Sequence, residues 1–223
     1  MLRKLAAYAS RAWRAKVRAV LSALLVLFVA LPAAADPVRI LVLGDSLAAG
    51  YGLPAADGFV AQLERALEQA GHDAQVIDAG VSGDTTAGGL ARLDWALAGG
   101  ADAAIVELGS NDALRGIDPG VARANLDAIL ASLAERGIPV LLAGMLAPRN
   151  LGEDYVRAFD AIYPELARKH DALLHPFFLE GVAGDPSLNQ GDGIHPNAQG
   201  VAAIVEAILP KVEALIGRAR EAT

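Results

Sequence analysis

The chain has no cysteine, only two methionines and two tryptophans, and an aromatic content of 5%. Without cysteine there are no disulfides, so stability has to come from the packed core alone. The same absence excludes a thiol nucleophile, a thiolate metal site and an N-terminal lipid-modified cysteine. Acidic residues are missing from the first 35 positions, and basic residues are scarce after them. Nowhere do His, Asp and Glu recur at metal-ligand spacing, so no metal or other cofactor is expected. What the chain does have is aliphatic surface. Of its 223 residues 54% are hydrophobic and 20% charged, enough for one domain with a sizeable core.

The acid-free segment has an order of its own. Arg3, Lys4, Arg11, Arg14, Lys16 and Arg18 form a basic region, Ala19 to Leu31 is apolar, and Pro32 leads into Ala33-Ala34-Ala35. Basic, then apolar, then small residues predict a secretory signal peptide over residues 1–35, cleaved after Ala35. The apolar run is shorter than the roughly 20 residues a membrane-spanning helix needs, which argues against a retained anchor. No twin arginine occurs, so the general export route is expected, with a periplasmic or secreted product. Six of the 19 basic residues leave with the leader. Residues 36–223 then carry 13 basic against 26 acidic side chains, a formal charge near −13. Such a surface argues against nucleic acid and anionic membrane as tight partners, because both are polyanions. The expectation is a monomer acting on a small molecule, with no stable membrane insertion after signal cleavage.

Residues 36–223 read as a single α/β domain. Short apolar runs at Val38–Gly44, Ala74–Asp78, Ala103–Leu108, Ile138–Gly144 and Ala172–His175 predict strands. Between and after them, Phe59–Gln69, Gly88–Leu97, Pro119–Arg136, Tyr155–Lys169 and Ala198–Ile216 predict helices. Asp57 is placed to cap the first helix, while Gly71 and Gly137 follow the ends of two. Strand–helix alternation with near-continuous apolar strands indicates a parallel sheet covered on both faces. In such sheets, sites form at the carboxyl ends of the strands. Four polar clusters fall there or in the loop before the last helix: Gly44-Asp45-Ser46, Ser82-Gly83-Asp84-Thr85, Gly109-Ser110-Asn111-Asp112, and Asp192-Gly193-Ile194-His195.

These clusters supply the parts of serine-based acyl transfer. A serine hydroxyl needs a base to take its proton and a third group to orient that base. Ser46, at a strand-to-helix turn, can present its hydroxyl and its own N–H. His195 is the natural base, since imidazole titrates near neutrality. Asp192, three residues earlier, is one tight turn away from it. Gly83 has no side chain to shield its N–H, and Asn111 offers an amide, so both suit an oxyanion. Of the other histidines, His72 follows a helix-ending glycine and is expected to be solvated, His170 ends a basic helix where a cation suits the dipole, and His175 has no carboxylate in a comparable short turn. His175 lies nearest the active edge and is expected to pack under Phe177-Phe178.

The sequence resembles the SGNH, or GDSL, hydrolases in four places. Gly44-Asp45-Ser46-Leu47 is similar to the family's first block, Gly83 to its second, Gly109–Asp112 to its third and Asp192–His195 to its last, and the likeness covers nearly all of residues 38–216. Ser82–Thr85, Leu114-Arg115-Gly116, Pro176-Phe177-Phe178 and Asp192–Asn197 further resemble the exported bacterial acyl-CoA thioesterase/lysophospholipase/arylesterase type. The resemblance implies a flavodoxin-like three-layer sandwich of about five parallel strands. It also implies Ser46 as nucleophile, His195 as base, Asp192 as its orienter, and an oxyanion hole of the Ser46 and Gly83 N–H groups with the Asn111 amide. Asp78 departs from the family, where asparagine is commoner.

The expected reaction is hydrolysis of short-to-medium acyl or aryl esters or thioesters through an acyl-enzyme. Leu146, Ala147, Pro148 and Leu151, after the fourth strand, and Ile194 are expected to line the acyl pocket. A carbohydrate O-acetyl esterase of the same fold is the alternative. A dinucleotide-binding protein is a further alternative, because Gly50-Tyr51-Gly52-Leu53-Pro54-Ala55 fits Gly-x-Gly-x-x-Ala. It is disfavoured because six residues separate Gly50 from Gly44 and Pro54 interrupts the passage into the helix. An exported binding module that keeps the fold without the activity is also disfavoured, since every polar component is present. The elbow Gly-x-Ser-x-Gly is absent, which excludes a lipase of the α/β-hydrolase fold.

Overall fold

A computed structural model describes residues 36–222. The leader expected over residues 1–35 lies outside the described residues. Five strands, β1 (Val38–Gly44), β2 (Ala74–Gly80), β3 (Ala103–Glu107), β4 (Val140–Ala143) and β5 (Leu173–His175), form one sheet in the order β2-β1-β3-β4-β5. Every neighbouring pair is parallel. β1 and β3 run through the middle and are apolar along nearly their whole length, because helices cover both of their faces. The edge strand β2 instead exposes Gln75 and Asp78.

Among the described residues six α-helices connect the strands and a seventh follows the last: α1 (Phe59–Gln69), α2 (Thr86–Ala96), α3 (Ser110–Leu114), α4 (Pro119–Glu135), α5 (Glu153–Asp160), α6 (Ile162–Lys169) and α7 (Ala198–Ala222). α1 packs on α7, and α2 on α4, which also meets α5 and α6. Right-handed crossovers from β1 leftward to β2 and then rightward to β3, β4 and β5 put these two groups on opposite faces. The order reverses beside β1, so the carboxyl ends of β1 and β3 flank the crevice where ligands bind in this architecture.

The expected elements form, with local differences. α1 is capped by Gly58 rather than Asp57, which instead ends a short 3-10 turn and accepts from Gln62 through its carbonyl at 2.8 Å. α2 begins two residues early because the Thr85 hydroxyl accepts from the Gly88 N–H at 3.3 Å. The single helix expected over Tyr155–Lys169 is two, broken at Ala161. The cause is Pro164, which has no N–H for the Asp160 carbonyl and fits only the first turn of a new helix. α7 continues past Ile216 because Ala219 extends its buried stripe of Val201, Ile204, Val205, Ile208, Val212 and Leu215. Gly50–Ala55 forms turns that lead into the 3-10 segment instead of opening a helix. No helix among the described residues is long and apolar enough to cross a membrane.

Candidate active site

β1 carries the chain to Gly44, and a tight turn follows in which Asp45 accepts the Leu47 N–H through Oδ1 and the Ala49 N–H through its carbonyl, both at 3.0 Å. This turn holds Ser46 at the head of the sheet. Nε2 of His195 lies 3.0 Å from Ser46 Oγ, although 149 residues separate the two in sequence. On the other side of the ring, Nδ1 lies 2.7 Å from Asp192 Oδ2. The remaining Asp192 oxygen accepts the N–H groups of Ile194 and His195 at 3.0 Å each. The histidine and these backbone donors hold the Asp192 carboxyl down at about 2. An ionised carboxylate is therefore fixed on Nδ1, which leaves Nε2 facing the serine hydroxyl.

The other expected donors converge on the same place. Gly83 adopts φ of 81°, a left-handed conformation that L side chains rarely take, and the Arg115 guanidinium holds its carbonyl at 2.7 Å. Asn111 sits on α3, with its amide donating to Asp45 Oδ2 at 3.0 Å. The Ser110 hydroxyl donates to the same oxygen. Ser46, Gly83, Asn111 and His195 all line one cleft of about 670 Å³, a size ordinary for small-molecule sites.

Of the residues expected in the acyl pocket, Leu146, Ala147, Pro148 and Ile194 line this cleft. Leu151 is not among the lining residues; it ends a short 3-10 turn, Arg149–Leu151, of which Arg149 lines the cleft. Met145, Leu114 and Phe177 complete the apolar wall. His175 is buried and does not line the cleft; its burial pushes the imidazole below its ordinary range. Among the described residues no three His, Asp or Glu side chains cluster in a way that could hold a metal.

A model of the GDSL-like lipase/acylhydrolase family matches residues 42–203. The chain belongs to the GDSL-like lipase/acylhydrolase family. It is an ester hydrolase by class. Among curated relatives it is 41% identical to an arylesterase of Vibrio mimicus, over 78% of this chain and 88% of that one. It is 39% identical to thioesterase 1/protease 1/lysophospholipase L1 of Escherichia coli K12, over 86% of this chain and 90% of that one. Among solved structures it matches AlinE4, an SGNH-hydrolase family esterase, with a TM-score of 0.70 and 51% identity, over 82% of this chain and 98% of that one.

Several residues that shape the site of this GDSL-like chain have no local signal in the sequence. The Tyr51 ring lies against the His195 ring at a tilt of 39°, with centroids 4.6 Å apart. Gln190 joins the serine and histidine loops, donating to the carbonyls of Tyr51 at 2.7 Å and Pro196 at 2.9 Å. Asp160 holds the Leu146–Arg149 wall by accepting the Ala147 N–H at 2.9 Å and pairing with Arg149 at 2.6 Å. Glu107, at the end of β3, lies fully buried beneath the serine turn, where it accepts the Asp45 N–H at 3.2 Å. Burial, and then the neighbouring Asp45, push its carboxyl well above the usual range. Glu107 is hidden in the sequence because it ends an otherwise apolar, fully buried strand, and the others act through contacts between separate segments of the chain.

Proposed function

We propose that the chain is a serine hydrolase that removes short-to-medium acyl or aryl groups from esters and thioesters through an acyl-enzyme intermediate. The observation that carries this reading is the unbroken chain Ser46 Oγ, His195 and Asp192, with contacts of 3.0 and 2.7 Å. Ser46 Oγ attacks the acyl carbon as its proton passes to His195 Nε2. The carbonyl electron pair moves onto oxygen, where the N–H groups of Ser46 and Gly83 and the Asn111 amide receive it. The intermediate collapses, the bond to the leaving oxygen or sulfur breaks, and His195 returns the proton to that group. Water then gives a proton to His195 and adds to the acyl-enzyme. Breakdown of that second intermediate releases the acid and returns the proton to Ser46. Asp192 remains ionised throughout and steadies the imidazolium formed in both halves.

The apolar wall of Met145, Leu146, Ala147, Leu114 and Phe177 suits aliphatic or aryl acyl groups. The names of the relatives, an arylesterase and a thioesterase/lysophospholipase, support the same range. The test is a panel of p-nitrophenyl esters of rising chain length, acyl-CoAs, lysophospholipid and acetylated sugars, run beside Ser46→Ala. Turnover of the p-nitrophenyl esters and thioesters that disappears in Ser46→Ala is expected. Turnover confined to the acetylated sugars would replace this reading with the O-acetyl esterase one. We also propose that residues 1–35 are removed during export; N-terminal sequencing of the exported protein should begin at Asp36.

A further inference from the structure

Arg92 lies in none of the segments that carry the proposed chemistry, yet its guanidinium reaches three parts of the frame around them. Nη2 donates to the Gly44 carbonyl at 2.8 Å, Nη1 to the Ala79 carbonyl at 2.7 Å, and Nε to Asp84 Oδ2 at 2.7 Å. Gly44 is the last residue of β1, immediately before Asp45-Ser46; Ala79 is the penultimate residue of β2; and Asp84 follows Gly83. The Arg92 and Asp84 side chains are only 16% and 14% exposed, so this is a desolvated pair rather than a surface one. Tight local packing brings Arg92 within reach. The first turn of α2 presses on the loop before it, and a Cβ on Gly88 would run into Asp84 Oδ1.

We propose that Arg92 is a positioning residue for the oxyanion hole. Its planar fork fixes the Gly44–Asp45 peptide, one unit before the peptide that carries the Ser46 N–H, against the loop bearing Gly83, so that the N–H groups of Ser46 and Gly83 aim at one point. The inference rests on the reaction proposed above. The Val81 N–H already ties its loop to the Gly44 carbonyl at 3.0 Å, and Arg92 adds the far end of that loop through Asp84. A lysine cannot replace it, because one ammonium on a flexible stem does not hold three acceptors at the angles of a guanidinium. The oxyanion exists only in the transition state, so a displaced donor costs rate rather than substrate affinity.

The experiment compares the parent with Arg92→Lys on a p-nitrophenyl ester, alongside thermal unfolding and titration with a serine-directed phosphonate. The expected result is a folded variant that takes up phosphonate to the same stoichiometry but more slowly, with KM unchanged and kcat about 10²-fold lower. A folded, fully titratable Arg92→Lys with the parent's kcat overturns the proposal. If Arg92→Lys does not fold, Asp84→Asn carries the test, since it removes the loop's charge and leaves both carbonyl bonds. There, a fall in kcat at unchanged KM supports the role, and the parent's kcat overturns it. The parent and Ser46→Ala separate the two levels of failure. Absence of Ser46-dependent turnover in the parent sinks the proposed reaction, whereas its presence with undiminished kcat in the variants sinks only the role of Arg92.

Discussion

Asn111 donates its side-chain amide to Oδ2 of Asp45 at 3.0 Å, across 66 residues of sequence. Asp45 is fully buried, and burial pushes its carboxyl up; the N–H of Leu47, the Ser110 hydroxyl and the Asn111 amide oppose that by donating to it. One N–H of the Asn111 amide is held by this contact, and Asn111 itself lines the cleft. Asp45 thus fixes Asn111 to the serine turn as Arg92 fixes the Gly83 loop to it.

Replacing Asn111 by alanine should lower kcat by about 10²–10³-fold, the scale of one oxyanion donor. Asp45→Asn should reproduce part of that loss. Its amide can still accept the Leu47 N–H but turns an NH₂ toward donors that need an acceptor, so Asn111 loses its anchor. Steady-state kinetics on one ester decides both. In each variant kcat should fall with KM unchanged, and a loss confined to KM would make Asn111 a substrate contact instead.

Asp192 stays ionised across the mildly acidic range. Its carboxyl is lowered to about 2 by His195 and two backbone N–H groups. A lowered pKa means the ionised form is favoured by folding; that contribution is complete above the unfolded value of about 3.9 and is lost only as pH falls through the folded one. Protonation of Asp192 therefore adds no step to kcat/KM over the mildly acidic range. In Asp192→Asn the amide oxygen stays with the Ile194 and His195 N–H groups, so its NH₂ faces Nδ1 and imposes the wrong imidazole tautomer, which should cost up to about 10⁴-fold at neutral pH. Ionisation of Asp192 seen in the parent's kcat/KM over the mildly acidic range would contradict the assignment.

The parts of this site that were legible in the sequence are those held by neighbours in the chain. Asp192 reaches His195 within one turn, and Gly83 needs only its own φ, so motif and spacing suffice for them. Parallel strands and most helix limits follow from hydrophobic period and capping. What spacing could not show is held from far away. Arg92 reaches Gly44 over 48 residues and Gln190 reaches Tyr51 over 139, and nothing in either local sequence marks such a bond. The break at Ala161 had a visible cause in Pro164, outweighed by the amphipathic period running through it. Its place in the loop puts Leu151 with the acyl wall, whereas of the 3-10 turn Arg149–Leu151 only Arg149 lines the cleft.

Glu107 should govern part of the stability at neutral and alkaline pH. Burial, and then the charge of Asp45, raise its carboxyl well above the ordinary value, and its Oε1 has no hydrogen-bond partner in the protein. A raised pKa means the folded chain holds this proton more tightly than the unfolded one. Stability from this group is then greatest below the unfolded value of about 4.3 and declines as pH rises toward the folded one. Glu107→Gln keeps the shape and an acceptor for the Asp45 N–H but never ionises. Its thermal midpoint should match the parent's in acid and exceed it by a growing margin toward pH 8. A difference that does not change with pH would show that ionisation of Glu107 is irrelevant to the fold.

Gln190 tests how far the reaction depends on holding the two loops together. Its side-chain NH₂ bridges the carbonyls of Tyr51 and Pro196, while its own N–H donates to the His195 carbonyl at 2.7 Å. Tyr51 in turn donates its N–H to the Ser46 carbonyl at 3.0 Å, so the bridge runs from the nucleophile's turn to the base's turn. The space is tight, because a Cβ on Gly52 would run into Gln190 Oε1. Gln190→Ala removes the bridge and leaves two carbonyls for water, so Ser46 and His195 lose their fixed separation. A displacement well under an ångström at a nucleophile–base contact of 3.0 Å should cost about tenfold in kcat, with KM unchanged. Gln190→Glu should fare no better, since a carboxylate has no N–H to give and faces two carbonyl oxygens. Tyr51→Phe is the control. The bridge uses the Tyr51 backbone and its ring rather than the hydroxyl, so kcat should stay at the parent's level; a fall there as large as in Gln190→Ala would move the effect from the bridge to the phenol.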